Sequence, residues 1–456
     1  PLHYFNGVPV QGASGRVLAT TLDAHGRPSS RAAIVEASVG KGRCLLIAPD
    51  LTGAVVRIQQ GVAITRDGVP AHDGTAPICD GMLKSDDGGV LDWLLDRQPV
   101  PGAAALSAFL QPVADQWREL LLRALFHLAS EQGLRLPVLW LYPRDLPALG
   151  ELSHDTDGND PPSARRLLQV LADVGVNSTW CVLAPGYPRE LVTSISKAGH
   201  ELAMHFDAVA PGAAWSEEAF DDQWRQLIDL FDGQRPVTNK NHYLRWQGDT
   251  EFFTWCAARG IGLDQSKGVS KTGAAGFNFG TCHPYLPVDA DGGMIDVLEL
   301  PTPTQDLVVF APAELAAPLL AAVVKHHGVL HLLFHPAHIE KPGVADVLVD
   351  VVSKARDQGL EWWRARDINA WERARRKARW TGFVAAGDGF SVRLQVADPL
   401  PQASIMWLGK SALSATVNGE PRVARAVERW GFPFQSITFD AERDTAYHLE
   451  VAGSAR

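Results

Sequence analysis

The run "ELSHDTDGNDPPSARRLLQVLADVGVNSTWCVL", Glu151 to Leu183, decides the fold. A short apolar strand leaves through two carboxylates one residue apart, Asp155 and Asp157, and turns at Gly158 and Pro161-Pro162. A helix over "PSARRLLQVLADVG" follows, with Ser163 as its expected cap, and "STWCVL" is a second strand. Strand, helix and strand joined by short loops imply parallel strands with a crossover helix, hence an α/β barrel or open sheet. Ligands of such sheets collect at the carboxyl ends of the strands, where Asp155 and Asp157 stand.

The alternation continues outward. "PRELVTSISKAG" reads as a helix, "HELAMHF" as a strand, "PVTNKNHYLRW" as a strand and its exit, "DTEFFTWCAARG" as a helix and "IGLDQS" as a strand. "GVLHLLFHP" is the last strand, followed by the helix "VADVLVDVVSKARDQG" and a closing helix over "EWWRARDINAWERARRKARW". "LPVLWLYP" is expected to open this region, led in by the amphipathic helix "VADQWRELLLRALFHLASEQGL". After Trp380 come alternating runs such as "FSVRLQV" and "TAYHLEV", expected as a small antiparallel β domain. Before Gln98 the chain reads as short strands with glycine punctuation, and "PVPGAAA" as a linker. Three domains are expected: 1–105, 106–380 and 381–456.

At 456 residues, 46% hydrophobic and 21% charged, the chain is of ordinary globular composition. A net charge of -10, with "RARRKAR" as the longest basic run, argues against nucleic acid as the main partner, and that run is expected on a solvated helix face. The apolar stretch from Leu307 to Val324 is broken by Pro312, Glu314 and Pro318, so no membrane span is expected. Five cysteines at scattered spacings, without a Cys-x-x-Cys pair, suit a reducing, cytoplasmic setting rather than a disulfide framework. The sequence opens at Pro1 without a signal-like run and is expected to be a processed or truncated product. The sequence leaves the oligomeric state open.

Three strand ends carry groups able to hold a divalent ion: "SHDTDG", "HELAMHFDAV" and "HLLFHPAHI". Mixed aspartate and histidine ligation suits zinc or a similar ion, with a position left for water. The order of these motifs resembles the polysaccharide deacetylases of the NodB-homology type, carbohydrate esterase family four. The resemblance covers Leu136 to Trp380. It implies a central (β/α) barrel of that type; an N-terminal α/β domain and a small C-terminal antiparallel β domain are expected on either side of it in sequence. It also implies Asp155 as general base, Asp157 as metal ligand, His205 of "GHELAMHFDAV" as a second ligand and His335 as the acid that protonates the leaving amine, with His338 as the alternative. His200 is not a ligand in the family's pattern.

Four residues beyond His205 the family's second histidine is replaced by Val209. His242 of "NKNHYLRWQG" is the preferred substitute, with Asp207 and His283 as alternatives and Asp207 better suited to a loop cap or hydrogen-bond partner. The family's third motif supplies an arginine that orients the base. Lys240 or Arg245 could stand there, with Arg245 preferred. The expected cofactor is a divalent ion, zinc first, and the expected partner an N-acetylated glycan. The implied reaction is hydrolysis of an N-acetyl group on an amino sugar, the oxyanion held by the ion and a backbone N–H near Tyr243 or Tyr285. A small ureido or cyclic amide substrate, or an inactive carbohydrate-binding or scaffold protein, are the alternatives.

Of the fourteen tryptophans, Trp362, Trp363, Trp371 and Trp380 are expected on one helical segment and in the core, whereas Trp215 and Trp246 could be sugar platforms. His326 and His327 are expected exposed at a helix end. "GKGRCLLIAPDL" resembles the closing part of a glutamine-amidotransferase-like domain, but it lacks that family's Gly-x-Cys-x-Gly elbow. Cys44 is therefore expected as a buried structural thiol, and the first domain as an accessory one.

Overall fold

The structure, a computed structural model, describes residues 1–10, 14–23, 25–68, 81–410 and 413–452. Cys79 lies outside them, and the other four cysteines are free. The chain forms two compact units, each assembled from separated segments. One comprises residues 55–115 and 147–369, the other residues 1–54, 116–146 and 370–456. This partition runs differently from three consecutive domains, because strands distant in sequence pair within each unit.

The first unit holds a parallel sheet of eight strands: β1 (Leu149–Asp155), β2 (Thr179–Leu183), β3 (Glu201–Phe206), β4 (Thr238–Asn241), β5 (Leu263–Asp264), β6 (Leu298–Glu299), β7 (Val329–Leu333) and β8 (Glu361–Trp362). Their order is β6-β5-β4-β3-β2-β1-β7, with β8 on the lower half of β1. The sheet curls until the chain beyond β6 meets β7. Gln305 bridges Leu333 in parallel, and the Asp306 N–H donates to the Leu333 carbonyl at 2.9 Å. This is the expected α/β barrel.

Crossover helices α1 (Pro161–Val174), α2 (Arg189–Lys197), α3 (Glu217–Leu230), α4 (Glu251–Ala258), α5 (Ala316–His326) and α6 (Val344–Asp357) pack on it. In α1 the cap is Asp160, not Ser163. Its carboxylate accepts the Ser163 N–H at 2.9 Å, and Pro161 and Pro162 occupy positions whose missing N–H costs nothing. Gly175, at φ 61°, ends the helix with its N–H on Ala172, a conformation that suits glycine. Ala164, Leu167, Val170 and Leu171 are the buried face. Gly150 lets β8 sit against β1, since a Cβ there would stand 2.6 Å from the Trp362 ring.

The second unit is largely antiparallel. Its five-stranded sheet runs in the order Arg379–Ala386, Gly389–Val396, Thr445–Ala452, Ser414–Val417 and Glu420–Arg422. A four-stranded sheet runs in the order Arg425–Arg429, Phe432–Ala441, Leu400–Leu408 and Pro137–Leu139. The expected C-terminal β domain is therefore present, but it also claims "LPVLWLYP". Val138 pairs with Met406, and the Trp140 N–H bonds the Ser404 carbonyl, so this stretch is a sheet edge and not the start of the barrel. A three-stranded antiparallel sheet spans Arg16–Leu22, Pro28–Val39 and Gly42–Ile47.

Four further expectations change. Cys44 is exposed, because the strand Gly42–Ile47 turns most of its residues to solvent. His326 and His327 are buried, the His326 carbonyl accepting from His283 and His327 forming the left-handed cap of α5. Trp362 lies on β8, Trp371 on the helix Ala365–Lys377 and Trp380 on a strand, so they share no helical face. In the basic run, Arg375 and Arg376 turn back onto the buried carboxylate of Glu372, so only part of that face is solvated.

Candidate metal centre and active site

Alternation along β1 turns Glu151, Ser153 and Asp155 to the inside of the barrel, and the same period on β4 turns Thr238 and Lys240 inward. The ends of β1, β3, β4 and β7 then deliver Asp155, His205, His242 and His335 to one mouth. Asp157 lies two residues beyond β1 in a left-handed turn at φ 37° that aims its carboxylate back across the opening.

Three side chains converge there. Asp157 Oδ1 stands 3.3 Å from His205 Nε2 and 3.8 Å from His242 Nε2, and the ligand atoms of the three lie within 4.8 Å of one another. Each histidine is pinned through its other nitrogen. His205 Nδ1 lies 2.8 Å from the Lys240 carbonyl, which can only accept, so this nitrogen donates. His242 Nδ1 meets Asp207 Oδ1 at 3.1 Å. Both Nε2 atoms thus face Asp157, and in the neutral form each turns a lone pair to it, the tautomer that metal-bound imidazoles adopt. Buried His205 Nε2 and Asp157 Oδ1 have no hydrogen-bond partner, a costly arrangement that a cation between them would resolve. The donor set fits a divalent ion such as zinc.

The charges agree. Burial opposes ionisation of Asp157, yet the histidines around it, His205 first, hold its carboxyl at about 2. Burial also opposes a charged His205, but Asp155 and Asp157 raise it, so proton and metal ion compete for the same Nε2 lone pair.

Asp155 is the deeper carboxylate. Its Oδ2 is 3.9 Å from His205 Nε2, and its Oδ1 is 3.5 Å from the ammonium of Lys240, a side chain without exposed surface. Lys240 also donates to Ser153 Oγ, which lies 2.9 Å from His331 Nε2, and that nitrogen is 3.0 Å from Glu151 Oε2. A buried line of polar side chains therefore runs down the barrel beneath Asp155. Opposite, His335 Nε2 is 3.6 Å from Asp157 Oδ2, while its Nδ1 is bonded to Asp306, whose carboxylate also receives the His335 backbone N–H at 2.8 Å. Burial would lower the His335 imidazole, but Asp306 outweighs it and brings it up to about 9.

The structure thus brings together Asp155, Asp157, His205, His242 and His335. It does not bring Arg245. Beyond β4 the chain turns through Tyr243 and Leu244, both at positive φ, and Arg245 bonds the carbonyls of Leu83 and Trp246 at 3.0 Å and lies over the Trp215 ring. Lys240 occupies the place beside Asp155 instead. His283 lies with Asp115 and Cys282, its Nε2 on the His326 carbonyl at 2.8 Å. Asp207 caps the Val209 and Ala210 N–H groups and orients His242. His338 is 3.1 Å from Asp306, one step behind His335. His200 bonds Ser178 at the other end of β3.

Trp246 has no exposed surface, and Trp215 packs among Trp246, Phe252 and Trp255, so the first cannot serve as a sugar platform. The Tyr285 N–H is committed to the Glu299 carbonyl, whereas Tyr243, 54% exposed beside His242, is at the mouth. Sequence reasoning missed Asp306, which sits in an irregular segment where no periodicity marks it. Choosing Lys240 over Arg245 was within reach, because period two along β4 puts Lys240 on the inner face.

No protein-family model matches the chain, and no curated protein matches it in sequence. Solved structures do. A protein named as a polysaccharide deacetylase, from Mycobacterium smegmatis, is 19% identical over 53% of this chain and 94% of its own, with a TM-score of 0.40. PuuE allantoinase is 14% identical over 51% and 93%, at 0.40. The peptidoglycan N-acetylglucosamine deacetylase Bc1960 is 13% identical over 48% and 87%, at 0.34. Likenesses this distant bear on no residue's role. Among the described residues no helix is long and apolar enough to cross a membrane.

Proposed function

We propose that the protein is a metal-dependent hydrolase that removes an N-acetyl group from an amino sugar in a polysaccharide or its precursor. One observation carries the reading: two imidazole lone pairs and a carboxylate aim at one point, with a second carboxylate and a histidine on either side of it. Asp157, His205 and His242 would hold the ion, which when bound supplies a Lewis acid for the amide carbonyl and lowers the pKa of water.

The chain's own residues perform the proton transfers. Asp155, held by Lys240, takes the proton from the attacking water as general base. His335, kept protonated by Asp306, gives the proton from Nε2 to the departing amine nitrogen, without which that amine is a poor leaving group. Asp306 fixes the imidazole so that Nε2 faces the mouth. Asp207 does the same for His242, which stands in for the histidine replaced by Val209.

The test is acetate release from N-acetylated glucosamine oligomers by zinc-loaded protein beside Asp155→Asn. The reading predicts release by wild type and loss of about 100-fold or more in the variant, the range of a general base. Release of ammonia or urea from a ureido substrate in place of acetate would overturn the substrate class. Glycan binding without turnover would overturn the enzyme reading.

A further inference from the structure

At the N-terminal ends of the barrel strands, opposite the metal centre, lies a cavity of about 240 Å³. It opens between the end of α2, the segment after α3, the start of β4 and the first turn of the helix Ala365–Lys377. Ser196, His200, Glu201, Gln234, Arg235 and Arg366 supply its polar walls.

These walls present donors. The Arg235 guanidinium faces the Trp224 ring at 5.7 Å, and neither Arg235 nor Arg366 has a carboxylate within ion-pair distance among the described residues. Neighbouring acids are committed elsewhere: Asp229 and Asp232 to Arg189, and Asp367 to Arg364. The Ser178 backbone N–H donates to His200 Nδ1 at 3.0 Å, so the lone pair is on Nδ1 and the proton on Nε2. Burial, aided by Arg364, lowers His200 to about 4 and keeps it in that neutral form. Glu201 is the single acid of the walls; its Oε2 accepts the Arg366 backbone N–H at 2.8 Å and the Thr179 hydroxyl at 3.2 Å, while its buried Oε1 has no hydrogen-bond partner. Two arginines, a glutamine, a serine and a neutral histidine with its N–H on Nε2 thus line one cleft.

Guanidinium forks match the tetrahedral oxygens of phosphate. We propose that this cleft is a binding site for the phosphate group of a small soluble ligand, separate from the metal centre. The cavity exceeds a bare phosphate, so there is room for a short organic group on it.

The test is isothermal titration of inorganic phosphate into the full chain, beside Arg235→Ala, Arg366→Ala, the double variant and Asp157→Ala. Both arginines are exposed, so their removal leaves the core intact. The proposal predicts saturable one-site binding with a Kd on the order of 1 mM or tighter. It also predicts at least a tenfold loss in each single arginine variant, no binding in the double variant and unchanged binding in Asp157→Ala. No saturable heat up to about 10 mM would overturn it, that concentration being far above the expected Kd. Equal affinity in the double variant, or loss in Asp157→Ala, would overturn it as well. Arginine-dependent pelleting with phosphatidic acid vesicles, without binding of free phosphate, would overturn the soluble ligand.

Discussion

His242 and Lys240 stand two residues apart at the end of β4, and His242 reaches Asp157 while Lys240 reaches Asp155. Their roles separate by measurement. Lys240→Met should keep the metal and lower kcat by about 10- to 100-fold, the usual effect of losing an outer-shell partner. Loss of metal from that variant would show that Lys240 shapes the ligand set rather than the base. Arg245→Ala should leave kcat within about threefold, because its guanidinium bonds carbonyls away from the site. The order of strand-end motifs pointed to Asp155, Asp157, His205 and His335 together, and the structure brings these four side chains to one mouth. Lys240 was obscured by the pull of a nearby arginine, and Asp306 by its irregular segment.

At the scale of elements, helix α1 shows what sequence patterns carry and where they slip. Its period and its stop at Gly175 are visible in the sequence, but the cap moved three residues back because a Pro-Pro pair can fill a first turn. Leu167, with no exposed surface, should cost about 2–5 kcal/mol of unfolding free energy on change to Ala, and Asp160→Ala about 1 kcal/mol. Urea denaturation of both variants gives the comparison. A larger loss for Asp160 than for Leu167 would mean that the loop, rather than the helix face, limits stability. "LPVLWLYP" was misplaced for a different reason. Short apolar runs do not say which sheet they join, and long-range pairing with Leu400–Leu408 decided it.

For the whole molecule, the alternation of strands and helices made the barrel readable, while the partition into units depended on contacts between distant segments. Global stability should carry a mark of the barrel floor. Burial raises the Glu201 carboxyl from 4.5 to about 7, so between those values the folded state holds a proton that the unfolded state has lost. Stability therefore falls as pH rises through that window, by about 3 kcal/mol for this one group. Glu201→Gln should flatten that part of the profile in urea denaturation between pH 5 and 8, and an unchanged slope would contradict the assignment.

On the proposed function, His242 completes a metal site in place of the histidine that Val209 replaces. Its direct test is metal content by mass spectrometry on protein purified without chelator, for wild type, Asp157→Ala, His205→Ala, His242→Ala and Arg245→Ala. About one equivalent of zinc or a similar ion is expected in wild type and Arg245→Ala, with loss in the other three. A full equivalent retained in His242→Ala, or none in wild type after reconstitution, would contradict it.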